Sequence, residues 1–268
     1  MAVRSNKTKE ALSKGRTVVG PFQGIGSVAI SEILGSQGFD WILVDLEHGQ
    51  IDLETAGNLF AAIRGSGATA LARVPGNDQS FIKRVLDAGA EGVMVPLVNS
   101  PVEALAAVRS CRYPPEGVRG LGPGRASLYG LGMLEYAEKA NDETLVMIQA
   151  EHIDAVRKID GILGVPGIDI LFVGPFDLAC SMGHMDDPGH PEVESAIELL
   201  LAAALKAGVV PGIFCAGPEA AARRIRQGFR FVALGLDSFY LDAGAKAARA
   251  ALGKGLGEIG RASCRERV

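Results

Sequence analysis

The sequence predicts an α/β protein built as a (β/α)8 TIM barrel. Eight short apolar runs alternate with amphipathic segments of helical length, the pattern of a parallel sheet with crossover helices. Eight such units in roughly 250 residues match the size of a closed barrel. No Gly-x-Gly-x-x-Gly follows the first run, which weakens an open doubly wound sheet, and the longest loop instead interrupts the fourth unit.

In chain order, the strand-like runs are Thr17–Phe22, Trp41–Leu46, Thr69–Val74, Gly92–Val98, Leu145–Ala150, Ile168–Val173, Val209–Phe214 and Phe231–Leu236. Each is a short apolar stretch of strand length. Ser27–Gln37, Leu53–Gly65, Ser80–Ala88, Val102–Cys111, Val193–Ala207 and Pro218–Gln227 lie between them and read as helices. The fourth unit carries YPPEGVRGLGPGRASLYG, where Pro114 and Pro115 stop the preceding helix and the glycines make an extended loop. Arg119 and Arg125 in this loop either bind a carboxylate bidentately or tie the loop down by ion pairs. The loop lacks the spacing of a phosphate-binding P-loop.

Of the 268 residues, 48% are hydrophobic, and no long polar or low-complexity stretch marks a linker. One domain, residues 1–257, is the expectation. The last eleven residues, EIGRASCRERV, break the pattern and match the translation of a common sequencing adapter, so Glu258–Val268 are expected to be a non-native tail. A net charge of −4, 6% aromatic residues and no sustained basic stripe argue against nucleic acid or an anionic membrane as partner. Cys111, Cys180, Cys215 and Cys264 have neither zinc-ligand spacing nor a disulfide-framework pattern, which points to reduced thiols and a cytoplasmic location. No apolar run reaches the ~20 residues of a membrane span, and no signal-peptide core is visible.

The candidate chemistry clusters after the apolar runs, where a barrel places its active site. Glu151 in VMIQAEHIDAV and Asp177 in ILFVGPFDLACSMG follow consecutive runs. They could hold a divalent metal cation, Mg2+, Mn2+ or Co2+, leaving positions open for a 2-oxoacid to chelate. Taken singly, Glu151 is equally an acid in the first turn of a helix and Asp177 an N-cap. Asp45, Glu47 and His48 end the second run and Arg73 ends the third. His48 alone reads as a core or capping histidine, but beside Arg73, an oxyanion stabiliser, and Asp87, able to orient its imidazole, it reads as an acid/base group. Asp87 is otherwise a helix C-terminal residue, an unfavourable place for an anion unless it has a partner. Phe22 and Phe214 either shape a substrate pocket or pack the core. No lysine lies in a strand-like run, so metal-assisted enolate chemistry is preferred to a Schiff base.

Together GFDWILVDLEHG, ARVPGND, LDAGAEGVMVPLVNS, YPPEGVRGLG, MIQAEHIDAV and VPGIDILFVGPFDLACSMG resemble the HpcH/HpaI aldolase family, the metal-dependent class II pyruvate aldolases, in family order over nearly the whole chain to about Gly257. The resemblance implies cleavage and formation of 4-hydroxy-2-oxoacids, as pyruvate plus an aldehyde, through a metal-bound pyruvate enolate. It implies Glu151 and Asp177 as metal ligands, His48 with Asp87 as acid/base dyad, and Arg73 at the enolate oxygen. Gln149 would orient the oxoacid, and the backbone at Gly174, Pro175 and Phe176 would receive its carboxylate. It further implies a last helix exchanged between subunits and a homo-oligomer, a hexamer. Cys180 and His152 depart from the residues common there, Ser and Thr, and remove no ligand. The alternatives are an oxaloacetate decarboxylase, a CoA-ester lyase of the same superfamily, or a non-catalytic barrel that binds a 2-oxoacid.

Overall fold

The computed structural model describes residues 5–256, with side chains through residue 252, so the Glu258–Val268 tail lies outside the described residues. Eight parallel strands close into a barrel in sequence order. They are β1 (Val18–Gln23), β2 (Trp41–Asp45), β3 (Thr69–Arg73), β4 (Gly92–Val95), β5 (Leu145–Ala150), β6 (Ile170–Val173), β7 (Val210–Cys215) and β8 (Phe231–Leu236), with β8 pairing β1. Short α1 (Lys7–Ser13) precedes β1. Then come α2 (Val28–Gly35), α3 (Leu53–Ser66), α4 (Gln79–Ala88) and α5 (Pro101–Cys111) in the first four units. A 3-10 segment, Arg125–Gly130, and α6 (Met133–Glu143) lead into β5. After β5 come α7 (Ile153–Arg157) and α8 (Ile159–Leu163), and after β6 α9 (Pro175–Ser181) and α10 (Pro191–Ala207). Finally α11 (Pro218–Gln227) joins β7 to β8, and α12 (Asp237–Leu256) follows β8.

Strands and helices fall within a few residues of the expected segments. The largest difference is the fourth run, which leaves the ladder at Val95 because Pro96 has no amide to donate and Leu97 turns with φ 52°. Helix ends follow local chemistry. The Asp78 side chain accepts the Phe81 amide to start α4, and Gly89 ends it at φ 113°, where any side chain would be strained.

Alternation along the strands sorts two cores. Ile42, Val44, Ala70, Ala72, Val93, Val146 and Ile148 point outward and pack under the helices. Trp41, Leu43, Leu71, Met94, Leu145, Met147, Ile170, Phe172 and Phe231 point inward and fill the barrel. Large and small side chains complement one another there. Trp41 stacks on Phe231 with ring centroids 4.2 Å apart, and a Cβ on Gly20 would sit 2.0 Å from the Trp41 carbonyl oxygen. The same inward parity, carried to the strand ends, delivers Phe22, Asp45, Arg73, Gln149 and Phe214 to the mouth of the barrel. Among the described residues no helix is long and apolar enough to cross a membrane.

Candidate active site

Register places Asp45 directly beside Arg73 on neighbouring strands. Arg73 donates from Nε to Asp45 Oδ1 at 2.9 Å and from Nη2 to Oδ2 at 2.6 Å, while its Nη1 lies 3.0 Å from Glu47 Oε2. Glu47 Oε2 lacks a well-angled donor despite that closeness, so the contact is an ion pair rather than a directed hydrogen bond. Burial raises the Glu47 carboxyl above its ordinary range, and Arg73 partly offsets this. The Asp45 Oδ1 atom also accepts the Glu47 amide at 3.1 Å, folding the DLEH turn around it. The Arg73 guanidinium covers the Phe22 ring at 5.1 Å. Asp45 and Glu47 were expected only as neighbours at the mouth; the structure makes them the clamp on Arg73.

Glu151 follows β5 and is 3% exposed. The Leu97 amide donates to its Oε1 at 2.9 Å, and Gln149 Nε2 donates to its Oε2. Burial pushes its carboxyl up to about 7, reinforced by the negative charges of Asp177 and Glu47 and opposed by the Leu97 amide and Arg73. Asp177 lies in the first turn of α9, just past β6. The remaining oxygen of the Gln149 amide, Oε1, is buried with no hydrogen-bond partner. A Cβ on Gly174 would meet Glu151 Oε2 at 2.8 Å, so the backbone approaches this carboxylate as closely as glycine allows. Two carboxylates and an orphaned amide oxygen, all hard donors held near excess negative charge, fit a divalent cation of the Mg2+ or Mn2+ kind.

A cavity of about 780 Å³ opens above these groups. Of the expected residues, Phe22, His48, Arg73, Gln149 and Asp177 line it, as do Gly174, Pro175, Phe176 and Phe214. Glu151 lies beneath, against Gly174 and Gln149. Phe22, Phe176 and Phe214 form an aromatic wall, with Phe214 edge-on to Phe22 at 5.6 Å and to Phe176 at 6.1 Å. Asp237, which also lines the cavity, was missed. It is 3% exposed and accepts the Ile25 amide at 2.8 Å, so it locks the loop after β1 to the start of α12. Its signal was present, since it follows the eighth apolar run just as the other site acids follow theirs.

Asp87 does not line the cavity. It sits in the last turn of α4, which runs back from the mouth to the start of β4, so it lies at the opposite end of the barrel from His48. The two do not meet within one chain. Asp87 Oδ1 instead accepts from Arg119 Nη2 at 2.7 Å. Arg119 is fully buried between the Tyr113 and Tyr136 rings, at 4.5 and 5.4 Å, and so takes the loop-anchoring role. Arg125 reaches the Gly57 carbonyl at 3.4 Å. His48 stands at the rim with a 70% exposed side chain, 3.9 Å from Glu47. Among the described residues no strand contains a lysine.

The family model described as HpcH/HpaI aldolase/citrate lyase matches residues 21–242. The 4-hydroxy-2-oxo-heptane-1,7-dioate aldolase of Shigella flexneri is 39% identical over 250 residues, covering 92% of this chain and 93% of its own. The aldolase of the same name from Klebsiella pneumoniae is 40% identical over 245 residues, 91% of this chain and 92% of its own. The crystal structure of an HpcH/HpaI aldolase/citrate lyase family protein from Burkholderia cenocepacia superposes with TM-score 0.87 at 36% identity, over 93% of this chain and 99% of that one. The chain belongs to the HpcH/HpaI aldolase/citrate lyase family.

Proposed function

We propose that this protein is a divalent-metal-dependent aldolase that cleaves 4-hydroxy-2-oxoacids to pyruvate and an aldehyde, and runs the reverse addition. The observation that carries this is the buried Glu151 carboxylate beside Asp177, with the orphaned Gln149 oxygen, under a cavity whose other charged wall is Arg73. A cation held by Glu151 and Asp177 supplies Lewis-acid polarisation of the substrate's C2 carbonyl.

The chain's own groups supply the rest. Arg73 has five N–H donors, of which two are committed to Asp45 while Glu47 pairs with Nη1 without a directed hydrogen bond; the others remain for an oxygen that becomes negative during reaction. Because its anchors are fixed, this charge is positioned before substrate arrives. His48, exposed at the rim, takes the proton from the C4 hydroxyl as the C3–C4 bond breaks; that electron pair passes through C3 toward the C2 oxygen, and C3 then gains a proton to give pyruvate. In synthesis the proton returns. Gln149 orients the oxoacid, and the first turn of α9, which has no side-chain cap, receives its carboxylate at Gly174 to Asp177. Phe22, Phe176 and Phe214 exclude water from the aldehyde half.

Asp87 can orient His48 only if it comes from a second copy of the chain. A homo-oligomer, a hexamer by family resemblance, is supported by α12: every residue from Ser238 to Leu252 is exposed, including Phe239, Leu241 and Leu252. Its first turn is held to its own chain by Asp237 and by Tyr240 against Phe39 and Leu234, and the exposed apolar residues beyond it suit exchange between subunits. Residues 1–257 are then one aldolase barrel.

The substrate of the named relatives, a seven-carbon dicarboxylate, is the first to test. Incubation of 4-hydroxy-2-oxoheptanedioate with protein and Mg2+, Mn2+ or Co2+ should release pyruvate and 4-oxobutanoate in equal amounts. Release of neither from folded protein would contradict the proposal.

A further inference from the structure

Beyond the barrel mouth, one cluster brings metal-ligating side chains together with no role in the chemistry above. His184 lies in the loop between α9 and α10, His190 caps α10, and Glu192 lies in its first turn. The two imidazoles stack with centroids 3.6 Å apart and planes 12° apart. The His184 Nε2 atom lies 2.9 Å from Glu192 Oε2, and one ligand atom from each of the three residues lies within 4.8 Å of the others. The loop holds them in place: the His184 amide donates to the Ala179 carbonyl of α9 at 2.8 Å, Asp187 to the His184 carbonyl at 3.0 Å, and His190 to the Asp187 carbonyl at 3.0 Å.

We propose that His184, His190 and Glu192 form a second metal site, selective for a borderline transition cation such as Zn2+. The stacked rings and the carboxylate beside them bring imidazole nitrogens and an anionic oxygen within reach of a single ion. A single cation shared by all three fits that arrangement. Two nitrogens and one oxygen, with room for water as fourth ligand, form a donor set that suits Zn2+. Mg2+ and Ca2+ favour oxygen alone, as at Glu151 and Asp177. The two sites are therefore sorted by donor type.

Metal binding here replaces the 2.9 Å hydrogen bond between His184 Nε2 and Glu192 Oε2 and costs one further local bond. His190 Nδ1 accepts the Glu192 amide at 3.2 Å, and if that nitrogen turns to the metal the amide returns to water at an exposed helix end. In exchange, the loop is pinned to α10 from both sides. The His184 anchor on Ala179 ties the site to α9, the helix that carries Asp177.

The test is Zn2+ titration by calorimetry on the EDTA-stripped full chain. Wild-type protein should take up two Zn2+ per chain, and His184→Ala or His184→Asn one. Glu151→Gln/Asp177→Asn should also retain one, and adding His184→Ala should remove that remaining binding. Mg2+ should not compete for it. Equal stoichiometry in wild type and both His184 variants, with the variants shown to be folded by circular dichroism, would overturn the site. So would loss of all Zn2+ binding on mutation of the barrel-mouth carboxylates alone.

Discussion

Two buried arginines at opposite ends of the barrel separate a site from a scaffold. Arg73, at the mouth, donates two hydrogen bonds to Asp45, pairs with Glu47 and faces the cavity. Arg119, at the other end, is sandwiched by Tyr113 and Tyr136 and reaches only one carboxylate, Asp87, leaving Nε and Nη1 without acceptors. A guanidinium clamped by two carboxylates beside open volume is aimed at something that comes and goes. One enclosed in aromatic rings is there to hold a loop. Charge and burial are alike in the two; the difference lies in what surrounds them.

The comparison breaks most sharply under mutation. Arg73→Ala should lower kcat by about 10²–10³-fold, the usual cost of removing a donor aimed at a developing oxyanion, with Asp45 and Glu47 left facing one another. A pyruvate-release assay on folded variant measures this, and a fall of only a few-fold would deny Arg73 its role. Arg119→Ala should instead act on stability, lowering it by about 2 kcal/mol in urea unfolding, because Asp87 loses its partner but is itself partly exposed. If Arg119→Ala left stability unchanged, the scaffold assignment would fail.

The metal site sharpens the contrast by pH. The raised Glu151 carboxyl means that the folded, metal-free chain binds a proton there which the unfolded chain has released. Stability is therefore lost as pH rises from the ordinary glutamate value of 4.5 toward about 7. Glu151→Gln should remove this loss, so the variant should gain in Tm over metal-free wild type at pH 8 and not at pH 4. Equal differences at both values would mean that Glu151 ionises freely. A smaller effect is expected from Gly174→Ala, whose added methyl presses on Glu151 Oε2. It should weaken Mn2+ binding roughly tenfold, about 1.4 kcal/mol, with little change in Tm.

The fold was legible because apolar runs buried on both faces and amphipathic helices leave strong periodic signals, from Trp41–Asp45 to Phe231–Leu236. The mouth was legible in part for the same reason: a polar residue just after an apolar run, such as Glu151 or Asp177, must emerge at the strand's C-terminal end. Asp87 precedes its run GVMV instead of following it, and that order alone puts it at the other end of the barrel. The roles of Asp45 and Glu47 were less visible, since the lateral register that sets them beside Arg73 depends on pairing between strands. Nor does periodicity report that α12 lies exposed from Ser238 to Leu252, which depends on what the rest of the chain offers to pack against.

The central claim is that carboxylates at the mouth hold a divalent cation without which the carbon–carbon bond is not cleaved. Its most direct measurement is pyruvate release from 4-hydroxy-2-oxoheptanedioate by EDTA-stripped protein, before and after addition of Mn2+, in wild type and in Glu151→Gln. Activity that is absent without metal, restored by Mn2+ in wild type and not restored in Glu151→Gln is the predicted result. Undiminished release by the stripped protein, or equal restoration in Glu151→Gln, would contradict it.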